Sequence, residues 1–220
     1  MPGPSSETNT MPSNRHPARV QRQRGVTLII VLMILVVATI LGIGGAQIAL
    51  LGERSTRYDR DYLIASQSAE SALMDAEFDI RGPNAAPASR VAEFSQSNTG
   101  IFLPDCGTTG VSAGLCESKP DNVKPVWLIV DFLDNTAGTA RSVEYGQFTG
   151  RQFDAGGAGV KPARKPRYMI ETVEDRNPGS SAKYDGSKPP PKMYRVTSMG
   201  FGPREDTQVV MQMTYRKEKE

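Results

Sequence analysis

The chain has 220 residues, with 26 Lys and Arg against 24 Asp and Glu and a net charge of +2. That balance is too mild for a nucleic-acid surface. Two cysteines and one histidine do not supply the ligand sets of common metal sites or the base of a Ser–His triad, so no cofactor, metal or enzymatic activity is expected.

The chain opens with residues 1–14, rich in Ser, Pro, Asn and Thr, a composition that predicts no packed structure. Met11 offers a second start that would leave a shorter basic leader, Met11 to Gly25. Arg15, Arg19, Arg22 and Arg24 then face a single acid, Glu7. From Gly25 to Gly52 no residue is charged, and Gln47 is the only strongly polar side chain. Residues 26–51 as a helix reach roughly 39 Å, more than the bilayer core of about 30 Å. Leu, Ile and Val favour insertion, and the preceding arginines put the N-terminus in the cytoplasm and all that follows Leu51 outside. A cleaved secretory signal is one reading, although this apolar core exceeds the usual length of roughly 7–15 residues and Gly44-Gly45-Ala46 is a weak cleavage site. An uncut signal anchor is a second. A third turns on the boundary Arg24-Gly25-Val26-Thr27-Leu28-Ile29.

This boundary resembles a prepilin cleavage site, a basic residue and Gly followed by an apolar residue, Thr and Leu. In that family a membrane peptidase cuts after the Gly on the cytoplasmic side, and the new N-terminal residue is N-methylated. The resemblance implies that Gly25 ends the leader, that Val26 is the mature, methylated N-terminus, and that the anchor stays on the protein. Leu28, Ile30, Leu32 and Leu35 then belong to the helix that lies in the membrane and later in a filament core. One position departs from the pattern: most pilins carry Glu at the fifth mature position, here Ile30. A carboxylate inside the membrane is costly and functional, and in major pilins it attracts the N-terminal amine of the neighbouring subunit. Its absence fits either a false resemblance or a subunit that needs no such neighbour, one that starts a filament or sits at its tip.

No Pro interrupts residues 26–81. Past Leu51, Tyr58, Tyr62, Ala65, Ala69, Ala72, Leu73 and Ala76 recur in steps that trace one helical face, opposite Arg57, Asp59, Arg60, Asp61, Gln67, Glu70 and Asp75. Gly82-Pro83 ends the helix. The prediction is one helix of about 55 residues, roughly 80 Å long, whose later half lays Tyr62, Ala65, Ala69 and Leu73 against a sheet. A coiled coil is the alternative, but the Ala-rich stripe is a weak dimer seam. Gly42, Gly44 and Gly45 cost about 1 kcal/mol each relative to Ala in a helix and read as sites of bending or of close helix contact. Residues 62–77, YLIASQSAESALMDAE, resemble PilX-type minor pilins, in which a polar stretch leads into an Ala-rich repeat ending in Asp-Ala-Glu.

Residues 82–125 are rich in Gly, Pro, Ser and Asn and read as a long loop. Within it lie Cys106 and Cys116, which the anchor orientation puts in an oxidising compartment. A disulfide is expected; two free thiols or a shared metal are the alternatives, the latter poor without a nearby histidine. Strand signals follow at residues 126–132, 167–173, 193–199 and 207–215, with a weaker one at 142–148 and a hairpin turn at 200–206. The expected fold is α+β: a long N-terminal helix whose amphipathic half packs on an antiparallel sheet of four or five strands. Pro166-Arg167-Tyr168-Met169-Ile170-Glu171 resembles a strand of the same PilX-type family. So does the hairpin from Tyr194-Arg195-Val196-Thr197 through Gly200-Phe201-Gly202 to Tyr215, while residues 82–125 and 174–191 match only loosely. Lys188-Pro-Pro-Pro-Lys192 reads as a solvated loop or a contact loop, and residues 216–220 as a solvated tail.

Four segments result: a leader (1–25), a transmembrane and filament-core helix (26–51), its amphipathic continuation (52–81) and a globular domain (82–220). The resemblance implies a minor pilin that primes or joins type IV pilus assembly at or near the tip. Implied partners are other minor and major pilins, prepilin peptidase, the inner-membrane assembly platform and a tip adhesin. Implied location is the inner membrane, with the globular domain periplasmic, and then the pilus. The alternatives are a minor pseudopilin of a type II secretion system and an unprocessed, signal-anchored envelope binding protein.

Overall fold

The computed structural model describes residues 25–95, 98, 100–120, 122–157, 159–175 and 192–217. The leader up to Arg24, the loop containing Lys188 to Pro191 and the end of the tail lie outside them. The first element, α1, spans Val26–Arg81 and begins directly after a turn at Gly25. It stops where the sequence predicts. The Gly82 N–H bonds to the Phe78 carbonyl at 2.9 Å with φ at +79°, a left-handed conformation that glycine takes without penalty.

The chain divides into two compact units, Met1–Gly52 and Glu53–Glu220. In the first, the apolar side chains of residues 26–51 are exposed, Leu28, Leu32 and Leu35 at 60–73 %.

The second unit is built on a mixed sheet of five strands: β1 (Leu115–Glu117), β2 (Val143–Glu144), β3 (Arg167–Glu174), β4 (Lys192–Phe201) and β5 (Gln208–Tyr215). The order is β1-β3-β4-β5, with β2 also paired to β3. The expected all-antiparallel pairing is corrected at one edge, where β1 runs parallel to β3, Cys116 opposite Glu171. Parallel neighbours need a long crossover, and the 49 residues between Glu117 and Arg167 provide one.

Residues 126–132 correct a second expectation. They do not form a strand. Val126–Leu128 is a short 3-10 turn, and Val126, Val130 and Phe132 pack with Met169 and both cysteines on one face of the sheet. A short apolar run fits any buried segment, and periodicity does not distinguish a strand from a covering turn. Opposite, Tyr168, Ile170, Tyr194 and Val196 pack with Ala72, Ala76 and Ile80 of α1 and with Phe94, Phe102 and Leu115. With both faces covered, β3 is buried from Arg167 through Thr172.

The buried positions of α1 are Asp61, Ala65, Ser68, Ala69, Ala72, Asp75, Ala76, Asp79 and Ile80. Alanines let the sheet come close, and Gly200 of β4 takes up the remaining space: a Cβ there would lie 2.2 Å from the Ala65 carbonyl oxygen and the Ala69 nitrogen. Tyr58 and Tyr62, expected on this face, are exposed at 59 % and 57 %. Asp61 and Asp75, expected on the polar face, are buried. The stripe is rotated by about one residue: bonds from Gly146 and Thr149 hold Asp75 inside the domain, while Asp61 pairs with its chain neighbour Arg60.

Candidate functional site

Three sets of residues carry what this fold presents to its surroundings and what keeps the presenting domain rigid. The first is the exposed apolar stretch of α1. Gly25 and Val26 sit at its very start, and Leu28, Ile30, Leu32 and Leu35 all have exposed side chains. The stretch has no charge and no burial within the chain, so only lipid or other helices satisfy it.

The second is the helix–sheet seam. Ala65 and Ala69 are fully buried, Leu73 packs partly buried against the core, and Tyr62 stays outside it. The Ser198 hydroxyl of β4 donates to the Ala69 carbonyl at 2.9 Å. Below it lies a network that sequence reasoning did not single out. Arg90 is fully enclosed; its Nε and Nη2 donate to the Asp79 carboxylate at 3.0 and 2.6 Å, and its Nη1 donates to the carbonyls of Ala113 and Val111 at 2.6 and 2.8 Å. The Tyr168 hydroxyl donates to Asp79 at 2.9 Å. Burial, and then the Asp79 charge, push this phenol well above its ordinary range, so it stays a donor. The guanidinium also lies 3.6 Å from the centre of the Phe148 ring. One turn earlier, Asp75 accepts from the Gly146 N–H at 2.8 Å and from the Thr149 hydroxyl at 2.5 Å. Burial raises its pKa, and these two bonds and Arg151 offset part of that rise.

The third is the loop between the cysteines. Cys106 and Cys116 are joined in a disulfide, with Cα atoms 4.1 Å apart, and both are buried. The loop is bound to β1 through Gly107 N–H to Leu115 O at 3.0 Å, and the segment just before it through Glu117 N–H to Leu103 O at 2.8 Å. Since Arg90 holds Val111 and Ala113 of the same loop, the disulfide and the buried ion pair fix one structure from two sides. Asp79 and Arg90 stand in no local motif; only Tyr168 was visible, within Pro-Arg-Tyr.

Residues 24–73 match the family profile described as PilX N-terminal, and residues 112–217 match the one described as Type IV pilus assembly protein PilX C-term. The chain belongs to the PilX family. It is therefore a minor pilin of type IV pilus assembly, a structural component that interacts with other pilins. The PilX N-terminal match begins one residue before Gly25 and covers α1 to Leu73; the C-terminal match takes in all five strands. Asp75, Asp79, Arg90 and Cys106 fall between the two matches. No curated protein and no solved structure matches the chain at a significant level.

Proposed function

We propose that this PilX-family chain is a processed minor pilin that primes the filament or occupies its tip. Prepilin peptidase cuts after Gly25, Val26 becomes the methylated N-terminus, and residues 26–51 hold the subunit in the inner membrane with residues 82–220 in the periplasm. The helix then leaves the lipid for a bundle of pilin helices, passing from one apolar surrounding to another. Its continuation, residues 52–81, braces the globular domain, and Tyr62, outside the seam with Ala65, Ala69 and Leu73, is free for a neighbouring subunit. Further partners are the inner-membrane assembly platform and a tip adhesin. The carrying observation is that α1 starts at Val26, the residue after Gly25, and turns an unbroken apolar surface outward.

Ile30 supports the position. A subunit entering below an existing neighbour gains from a carboxylate aimed at that neighbour's amine; a subunit with nothing above it gains nothing and avoids about 2.5–3.5 kcal/mol of insertion cost. Ile30→Glu is therefore expected to lower the number of pili per cell and shift the subunit from the tip along the shaft, read by electron microscopy with an epitope label. Unchanged pilus number and labelling would refute the tip assignment.

A further inference from the structure

Beside the β2–β3 corner lies an open groove of about 560 Å3, a size typical of small-molecule sites. Its walls come from residues 108–110 of the disulfide loop, residues 135–138, and the turn after β2, with Lys165 and Arg167 at one side. All belong to the unit Glu53–Glu220. Nothing in the assembly role uses this groove.

Its charge is uneven. Arg151, Lys165 and Arg167 face one carboxylate, Glu144. The Arg167 side chain is only 6 % exposed, and its Nε and Nη2 donate to the Ser142 hydroxyl and carbonyl at 2.8 and 2.5 Å. These bonds orient the guanidinium without neutralising it. The nearest carboxylate, Glu144, stands 4.0 Å from Nη1 and is engaged by Lys165 at 3.0 Å. Burial disfavours the Arg167 charge, Glu144 and more weakly Asp134 offset this in part, and Arg164 adds repulsion. A nine-tenths buried guanidinium with a shared, distant counter-charge is a fixed seat for an anion.

Most of the remaining side chains are neutral and polar, Thr108, Thr109, Asn135, Thr136, Gln147 and Gln152, interspersed with the small Ala113, Ala137 and Ala140 and with Tyr145. Hydroxyls and amides both donate and accept, which suits a ligand carrying several hydroxyl groups. An acidic peptide would also use the cations and could pair its backbone amides with these groups, but a sugar ring offers more donors and acceptors in the same volume. For a lipid chain the apolar lining is small, Ala113, Ala137, Ala140 and the Tyr145 ring, set among charged and polar groups.

We infer that this groove binds an acidic saccharide, with the sugar carboxylate on Arg167 and Lys165 and the ring hydroxyls on the threonine and amide side chains. Titration calorimetry on the full chain in detergent tests this, with trigalacturonate as the probe and its methyl ester as the control. Trigalacturonate is expected to bind, more weakly as salt is raised, and the ester at least about tenfold more weakly still, the equivalent of one charge-assisted hydrogen bond. Lys165→Gln and Arg151→Gln are each expected to weaken binding severalfold, Lys165→Gln while leaving the melting temperature unchanged; Arg167→Gln is expected to weaken it at least about tenfold. The assignment is overturned by no heat with trigalacturonate, by equal binding of the ester, or by wild-type affinity in Lys165→Gln and Arg151→Gln. It is equally overturned if oligoglutamate binds and the sugar does not. Its failure would leave the assembly role untouched.

Discussion

Asp75 and Asp79 lie one turn apart on α1, both fully buried, and their partners differ in kind. Asp79 meets a full positive charge on Arg90 as well as the Tyr168 hydroxyl. Removing one side of a buried pair strands the other, which costs about 3–5 kcal/mol. Arg90→Met is therefore expected to lower unfolding stability by that amount, measured by urea denaturation of the detergent-solubilised protein. A loss below 1 kcal/mol would mean that the pair adds nothing beyond its volume. Asp75 meets only dipoles, the Gly146 N–H and the Thr149 hydroxyl, with Arg151 further off. Its pKa in the folded state lies above the ordinary 3.8. The folded protein thus binds more protons than the unfolded chain in the window above 3.8, and stability from this group falls as pH rises through that window. Above the raised value the cost is constant. In Asp75→Asn the amide oxygen still accepts from Gly146, so the variant is expected to be at least as stable as wild type at pH 7 and to show a flatter stability profile from about pH 4 upward. Parallel profiles for the two proteins would contradict the assignment.

At the scale of elements, the sequence was most informative where one physical demand acts alone. The start and end of α1 follow from the Gly25–Val26 boundary and from Gly82-Pro83, and observed α1 is Val26–Arg81. β3, β4 and β5 follow from alternation and the Gly-rich turn, where Gly202 N–H bonds to Thr207 O at 2.8 Å. Legibility failed where distant partners decide. Asp75 read as solvent-facing because its partners, Gly146 and Thr149, are absent from any local window and are supplied by the fold. Residues 126–132 read as a strand because a turn that covers a sheet has the same composition as a strand within one. β1 has three residues and pairs in parallel, so it carries neither length nor alternation. The disulfide loop was legible from compartment and even count, and the structure adds what it holds: β1 on one side and, through Arg90, α1 on the other. Closing a loop of ten residues stabilises by about 2–3 kcal/mol in the chain-entropy account. The Cys106→Ser, Cys116→Ser double variant is expected to lose that much while retaining its sheet, seen as a lower urea midpoint with unchanged far-ultraviolet dichroism. An unchanged midpoint would show that the hydrogen bonds to β1 suffice.

For the whole molecule, two units follow two solvent rules. Among the described residues, Glu53–Glu220 buries its apolar groups in three clusters on the two faces of one sheet and bonds Asp75 and Asp79 internally. Residues 26–51 bury nothing and carry no charge, so their stability depends on an apolar surrounding the chain does not contain; in the proposed function this is lipid first, then other pilin helices. Membership of the PilX family explains why one polypeptide needs both. The proposed groove would give the folded unit a task besides lateral contact, whereas the apolar helix ties the chain to assembly. The central claim is that the cut falls before the anchor and leaves it attached. It is tested most directly by mass spectrometry of the N-terminus of protein extracted from membranes of cells with and without prepilin peptidase. The account predicts a methylated Val26 in the first and an intact leader through Gly25 in the second. A leader retained in both, or a cut near Ala46 that removes the apolar helix, would contradict it.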